Sequence, residues 1–364
     1  MKKNNLLKNS GVQSLIASVL CILVGLLVGY IALLIINAEG AWKAITTICK
    51  NFMYYPSKPA QIKYLGNTLV KTAPLLMCAL SVLFANKAGL FNIGAAGQYV
   101  VGAGASLYMA LALNLPWWAC LLGALSGFLK TKFNVNEVIS CIMFNWISLY
   151  CVNMLLTQVK ESTSPYTEHI SKINPGALLP SLGLGSLFSN NQYVTLAIPL
   201  AIAVAIGIWV LLEKTKLGYE LKATGNNKNA AKYAGMKENR NIILTMAIAG
   251  GLAGMAAALL YLSGYEQWSC SQASVPAMGF NGIAAAFLGG LSPIGSIFSS
   301  YFIQHITAGG AYVDKTLYCA QVSDFICALI IYLCGFVLFM KTAMNRSLDK
   351  RDEKRKAKNE GGKK

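Results

Sequence analysis

Apolar residues fall into ten runs separated by polar or Gly/Pro-rich stretches, and each run predicts a helix. The first six cover 13–36, 67–86, 95–113, 115–129, 138–156 and 192–212; the last four cover 242–262, 279–290, 294–309 and 317–340. The first carries no charged side chain over more than twenty residues, enough at 1.5 Å per residue to cross a hydrocarbon core of about 30 Å. The runs at 115–129, 279–290 and 294–309 are too short for a full span and read as tilted or half-membrane helices covered by neighbouring protein. The pattern is that of an all-α, polytopic integral membrane protein with about ten transmembrane or half-membrane helices.

Composition agrees. Of 364 residues, 55% are hydrophobic and 12% charged, where a soluble domain carries about a quarter charged. The basic start, MKKNNLLKNS, resembles the head of a secretory signal, but the apolar core behind it is too long and INA at 36–38 is a poor cleavage site. The expected organisation is an N-tail over 1–12, a transmembrane domain over 13–340 with a polar loop at 213–241, and a basic tail over 341–364. A net charge of +17 raises nucleic acid as a partner, yet its distribution points to topology instead. The N-tail, residues 87 to 132, the 213–241 loop and the C-terminal tail hold 23 of the 31 basic residues, all on one predicted side. This positive-inside bias predicts a multi-pass protein of the cell (inner) membrane with both termini cytoplasmic. The tail then lies beside anionic membrane lipid, and no nucleic acid is expected.

The candidate chemistry is sparse. Ten cysteines show no CxxC spacing; Cys49 and Cys270, both in predicted outer loops, are one candidate pair. Paired carboxylates, an HExxH stretch and a Ser/His constellation are all missing from the sequence, which predicts no catalytic site, no metal and no cofactor. His169 and His305 read as structural. Within the predicted spans, charge is confined to Lys71, Asp324 and Glu137 at a boundary. Lys71 either snorkels or pairs with Asp324, which could instead line a wet cavity. Glu137, three residues after Asn134, fits a capping box. Gly25 with Gly29, and Gly250 with Gly254, are small-xxx-small pairs for close helix packing.

Two interrupted segments are richer. AGLFNIGAAGQ, 88–98, sets Asn92 and Gln98 among glycines that include Gly94. MGFNGIAAAFLGGLSPIGS, 278–296, sets Phe280 and Asn281 ahead of a Gly/Pro break. Amides in loosened backbone suit a path for a polar, uncharged solute, since they both donate and accept hydrogen bonds. In GYELKATGNNKNAAKYAGM, 218–236, Asn226 or Asn227 is a helix N-cap and Gly235 its stop. Between them lies a helix of about two turns with Ala230, Ala231, Tyr233, Ala234 and Met236 on one side and Lys228 and Lys232 on the other. So short a helix needs a surface to lie on, and its small residues favour a docking partner over lipid.

Taken with KFNVNEVIS at 132–140, these stretches resemble the permease subunits of ABC importers for simple sugars and nucleosides, most closely the nucleoside-type branch, over residues of about 65 to 340. The resemblance implies a type II-like importer permease, half of a pore working by alternating access. It implies as partners a second permease, so a heterodimer, an ABC ATP-binding subunit and an extracytoplasmic solute-binding protein. It assigns ATPase coupling to Gly225, Asn226, Ala230, Ala231, Tyr233, Ala234 and Gly235, and the path to Asn92, Gly94, Gln98, Asn145, Phe280 and Asn281. The chain departs from the family pattern at Ala96, where the family has glutamate, and helix 115–129 looks shortened between Ser126 and Phe128. No phosphate-binding GxxxxGK[ST] loop occurs, so energy must come from a partner. The rival reading is an ion-coupled secondary transporter, against which the scarcity of buried acids counts.

Overall fold

The computed structural model describes residues 10–124 and 137–318, with isolated positions between 325 and 346. Among them lie fourteen α-helices. The first eight are α1 (Ser10–Ile36), α2 (Ala38–Lys50), α3 (Lys58–Lys87), α4 (Ala95–Leu111), α5 (Trp117–Ala124), α6 (Glu137–Leu156), α7 (Ile170–Ile173) and α8 (Leu184–Leu187). The remaining six are α9 (Ala197–Lys214), α10 (Lys216–Asn226), α11 (Lys228–Tyr233), α12 (Glu238–Tyr261), α13 (Met278–Leu288) and α14 (Pro293–Gly310). Five, α1, α3, α6, α9 and α12, are long and apolar enough to cross a membrane. Extended pairing among the described residues is limited to two isolated bridges, Lys160 with Thr167 and Tyr166 with Ser269.

The centre of the bundle is α3, packed by α12, α13, α14 and α9, with α4 against α12 and α6. Small residues set this geometry. Gly102 of α4 and Gly254 of α12 meet backbone to backbone, leaving no room for a side chain at Gly102. Gly25 and Gly29 are buried too, while Leu23, Leu27 and Ile31 of the same helix are exposed, as on a face turned to lipid. Pro74 sits inside α3, where it forfeits one backbone hydrogen bond.

Several expectations change. The stretch 37–66 is largely helical: Asn37 caps α2 by accepting from Glu39 N at 3.1 Å, and α3 begins nine residues before its predicted start. Helix α2 buries Ala41, Ala44, Ile45 and Ile48 while exposing Trp42. Cys49 and Cys270 are both free thiols, so the candidate pair does not form. The helix expected at 317–340, Asp324, Asn134, the region Ser126–Phe128 and the tails beyond 346 and before 10 lie outside the described residues. Lys71 does not snorkel alone, since Glu266 engages its Nζ at 2.6 Å. His305 is a satisfied structural histidine, its ring bridging Asn51 Nδ2 at 3.2 Å and the Cys49 carbonyl at 2.9 Å.

Candidate functional site

Four of the path candidates converge. The segment between α3 and α4 turns at Gly89 and carries Asn92 into the bundle, where it is fully buried. Asn92 Nδ2 donates to Ser81 Oγ of α3 at 3.0 Å and to Gln98 Oε1 of α4 at 2.8 Å. Asn145 of α6 accepts from Gly97 N at 2.9 Å and donates to the Ile93 carbonyl at 3.3 Å. Gly94 lies between, its Cβ position 3.2 Å from Cys141 Sγ and 3.4 Å from Asn92 Oδ1. The result is a buried amide knot tying α3, α4 and α6. Its one loose end is Asn92 Oδ1, buried without a hydrogen-bond partner.

Phe280 and Asn281 do not join it. Helix α13 presents Gly279 to the backbone of Ala96 and Gly282 to Cys78, and the residues between those glycines point elsewhere. Phe280 is accordingly exposed and Asn281 half-buried. Ala96 is fully buried under Gly279, a packing that suits a small residue.

Beside the knot a cavity of about 510 Å³ opens, with Tyr99 and Met278 next to it in the chain fold and Tyr261, Tyr166, Glu266 and Gln267 around it. Hydrogen bonds build its wall. Trp268, fully buried, donates Nε1 to Asn153 Oδ1 at 2.8 Å, and Asn153 Nδ2 donates to the Gln272 carbonyl at 2.9 Å. Tyr261 stands with its ring centroid 6.4 Å from Tyr99 and 5.8 Å from Trp268. Gln267 Nε2 donates to the Thr167 carbonyl at 2.7 Å and to Glu161 Oε1 at 3.2 Å. The hydrogen bond from Ser164 holds the Glu161 carboxyl below its usual range, helped by Gln267, His169 and Lys172. Small solutes use pockets of about 300–1,000 Å³, and the lining here is shared almost evenly between polar and apolar groups.

Where α3 ends, the polar stretch forms two helices where one was expected. Thr215 caps α10, accepting from Gly218 N at 3.2 Å, and Asn227 caps α11, accepting from Ala230 N at 3.0 Å. Gly235 ends the second with φ +78°. Of the coupling candidates, Asn226, Ala230, Tyr233, Ala234 and Gly235 are exposed, Tyr233 at 94%. Ala231 is instead buried against its own chain, so the expected apolar side is split between the interior and the surface. Gly225 faces inward too. A Cβ there would stand 2.6 Å from the Lys87 carbonyl oxygen and 2.7 Å from Gly89 N. A buried bond from Asn241 Nδ2 to Thr224 Oγ1, 3.0 Å, ties α10 to α12. The exposed tip is thus joined through Gly225 and Gly89 to the segment that carries Asn92.

Sequence reasoning missed Ser81, Tyr99, Tyr261, Glu266 and Gln267. Tyr99 adjoins Gln98, and SGYEQWSCSQ at 263–272 is an aromatic and polar cluster between two apolar runs, a signal that was available.

Comparison with known proteins now bears on this arrangement. Residues 64–335 match the family described as branched-chain amino acid transport system / permease component. The guanosine ABC transporter permease protein NupP of Bacillus subtilis is 32% identical over 74% of this chain and 80% of its own. The nucleoside ABC transporter permease protein NupB of Lactococcus lactis is 28% identical over 93% and 95%. The glucose ABC transporter permease protein TsgB13 of Haloferax volcanii is 27% identical over 94% and 93%. The same two bacteria each hold a second similar permease: NupQ, 26% identical over 65% and 77%, and NupC, 26% identical over 67% and 80%. With the family match running through most of the helical bundle and NupP this similar to it, the chain belongs to the family of ABC transporter permease subunits.

Proposed function

We propose that this chain is one half of the translocation pore of an ATP-driven importer, moving a nucleoside or a simple sugar inward by alternating access. The observation that carries the reading is the Gly225–Gly89 joint, a backbone contact between the exposed α10–α11 unit and the segment bearing Asn92. A partner that binds the tip more tightly in one state than in another biases the bundle through that joint, as any population shift requires. The ATP-binding subunit docks on Asn226, Ala230, Tyr233, Ala234 and Gly235, which puts that face in the cytoplasm, in line with the positive-inside bias of the loops. Gly225 and Ala231 hold the tip in place and transmit its motion. The second permease is a different chain, a reading supported by the presence of two similar permeases in each of these bacteria, NupP and NupQ in one and NupB and NupC in the other. An extracytoplasmic solute-binding protein delivers the solute to the cavity, whose tyrosine rings and amides suit a base or a sugar.

The test is reconstitution. Proteoliposomes holding this chain with its ATP-binding and second permease subunits take up tritiated guanosine or glucose only when ATP is supplied. Tyr233→Asp with Ala234→Glu abolishes co-purification of the ATP-binding subunit. Uptake that continues without ATP and collapses with an uncoupler makes the protein an ion-coupled carrier instead.

A further inference from the structure

The cavity has a one-sided charge. Glu266 is the only Asp, Glu, Lys, Arg or His side chain among the described residues that line it, alongside Tyr99, Tyr166 and Tyr261. Its counter-charge stands behind it: Lys71 of α3 holds Glu266 Oε1 at 2.6 Å and lies 5.3 Å from the centroid of the Tyr265 ring. Both side chains are roughly one-third exposed, Lys71 at 31% and Glu266 at 38%. The ion pair therefore fixes the carboxylate on the cavity side and spends the ammonium on fixing it.

We propose that Glu266 selects the solute. Its carboxylate accepts hydrogen bonds from a neutral, donor-rich molecule, the hydroxyls or exocyclic amine of a nucleoside, while the exposed Tyr166 offers a ring face to the base and the buried Tyr99 and Tyr261 back the wall. The same carboxylate repels anions, so a nucleotide or the carboxylate of a free amino acid is turned away by like charge. Lys71 is the positioning residue. This rests on the permease reading for the identity of the cavity as the solute site, and it goes further by naming the discriminating group and the sign of the charge it rejects. A site that hydrogen-bonds its ligand through a charged group loses about tenfold or more in affinity when that group is neutralised.

The experiment is equilibrium binding of tritiated guanosine and guanosine 5′-monophosphate to the assembled membrane complex in nanodiscs, without ATP. The wild-type complex binds guanosine at least tenfold more tightly than the monophosphate. Glu266→Gln weakens guanosine about tenfold and narrows the gap between the two ligands. The exchange Lys71→Glu with Glu266→Lys keeps an ion pair but inverts its direction; guanosine stays weak and the monophosphate gains. Two results overturn the proposal. One is a guanosine to monophosphate ratio unchanged in Glu266→Gln; the other is an exchanged pair that restores wild-type guanosine affinity, which marks the pair as structural only. Because ATP is absent, these outcomes stand apart from loss of ATP-dependent uptake, which is how the permease reading fails.

Discussion

At the start of α4, asparagine and glutamine side chains bond across three helices, whereas Asn227 at the start of α11 bonds only to the first turn of its own helix. Alanine and glycine divide the same way. Ala96 and Gly97 are buried in the knot, while Ala230, Ala234 and Gly235 at the tip lie open. Residue type alone does not separate the two regions; surroundings do. An amide enclosed by other helices must be paired with them, and each pair fixes a relative position. An amide in solvent can afford to pair locally, which leaves its helix free to be held by something else.

Four substitutions probe that contrast. Asn92→Leu strands Gln98 Oε1 and removes the bond to Ser81. Leaving a buried polar group unpaired costs about 1–3 kcal/mol, so this variant should show the largest fall in thermal midpoint by dye-monitored melting of the purified complex. Gly225→Val places a Cβ within 2.6 Å of the Lys87 carbonyl oxygen. Overpacking of this kind costs about 1–3 kcal/mol, and since the exposed tip is untouched, the expected result is an assembled complex whose ATP-driven uptake is depressed at least tenfold by this strain. Ala231→Leu, at a buried position, should lower stability by about 1–2 kcal/mol. Its neighbour Tyr233→Ala, at 94% exposure, should stay within about 0.5 kcal/mol of the parent yet reduce co-purification of the ATP-binding subunit. A matched loss of stability in these two would erase the distinction between an inward and an outward face of α11.

The smallest effect concerns pH at the cavity wall. Glu161 has its folded carboxyl below the usual 4.5, through Ser164 first and then Gln267. A carboxyl lowered on folding contributes stability above its unfolded value and loses it as pH falls through the folded one. Below about pH 4.5, therefore, the Glu161 to Gln267 bond should weaken and hydrogen exchange across 266–269 should quicken. Glu161→Gln removes this pH response while leaving the knot unchanged.

Much of this was legible in the chain itself. Hydrophobic runs located the long helices because a span without charge has few alternatives, and the amides of 88–98 stood out against glycine and apolar neighbours. Asn145 joined them only through family resemblance, since nothing local marks it apart from Asn153. Helix α2 was missed because its buried side, Ala41, Ala44, Ile45 and Ile48, is short and interleaved with Trp42 and Lys43. Phe280 and Asn281 were chosen by residue type; the packed side of α13 is built instead of small residues, Gly279 and Gly282 with Ala285 and Ala286. The cavity escaped because Tyr99, Tyr166 and Tyr261 come from three distant stretches, and only the fold brings their rings around one space.

The amide nitrogen of Asn92 serves Ser81 of α3 and Gln98 of α4 at once. Any displacement of α3 against α4 at this point has to break one of the two bonds, each worth about 1 kcal/mol net. The two helices are thereby coupled where the chain passes between them, and the rigid unit that rocks in a transport cycle should contain both.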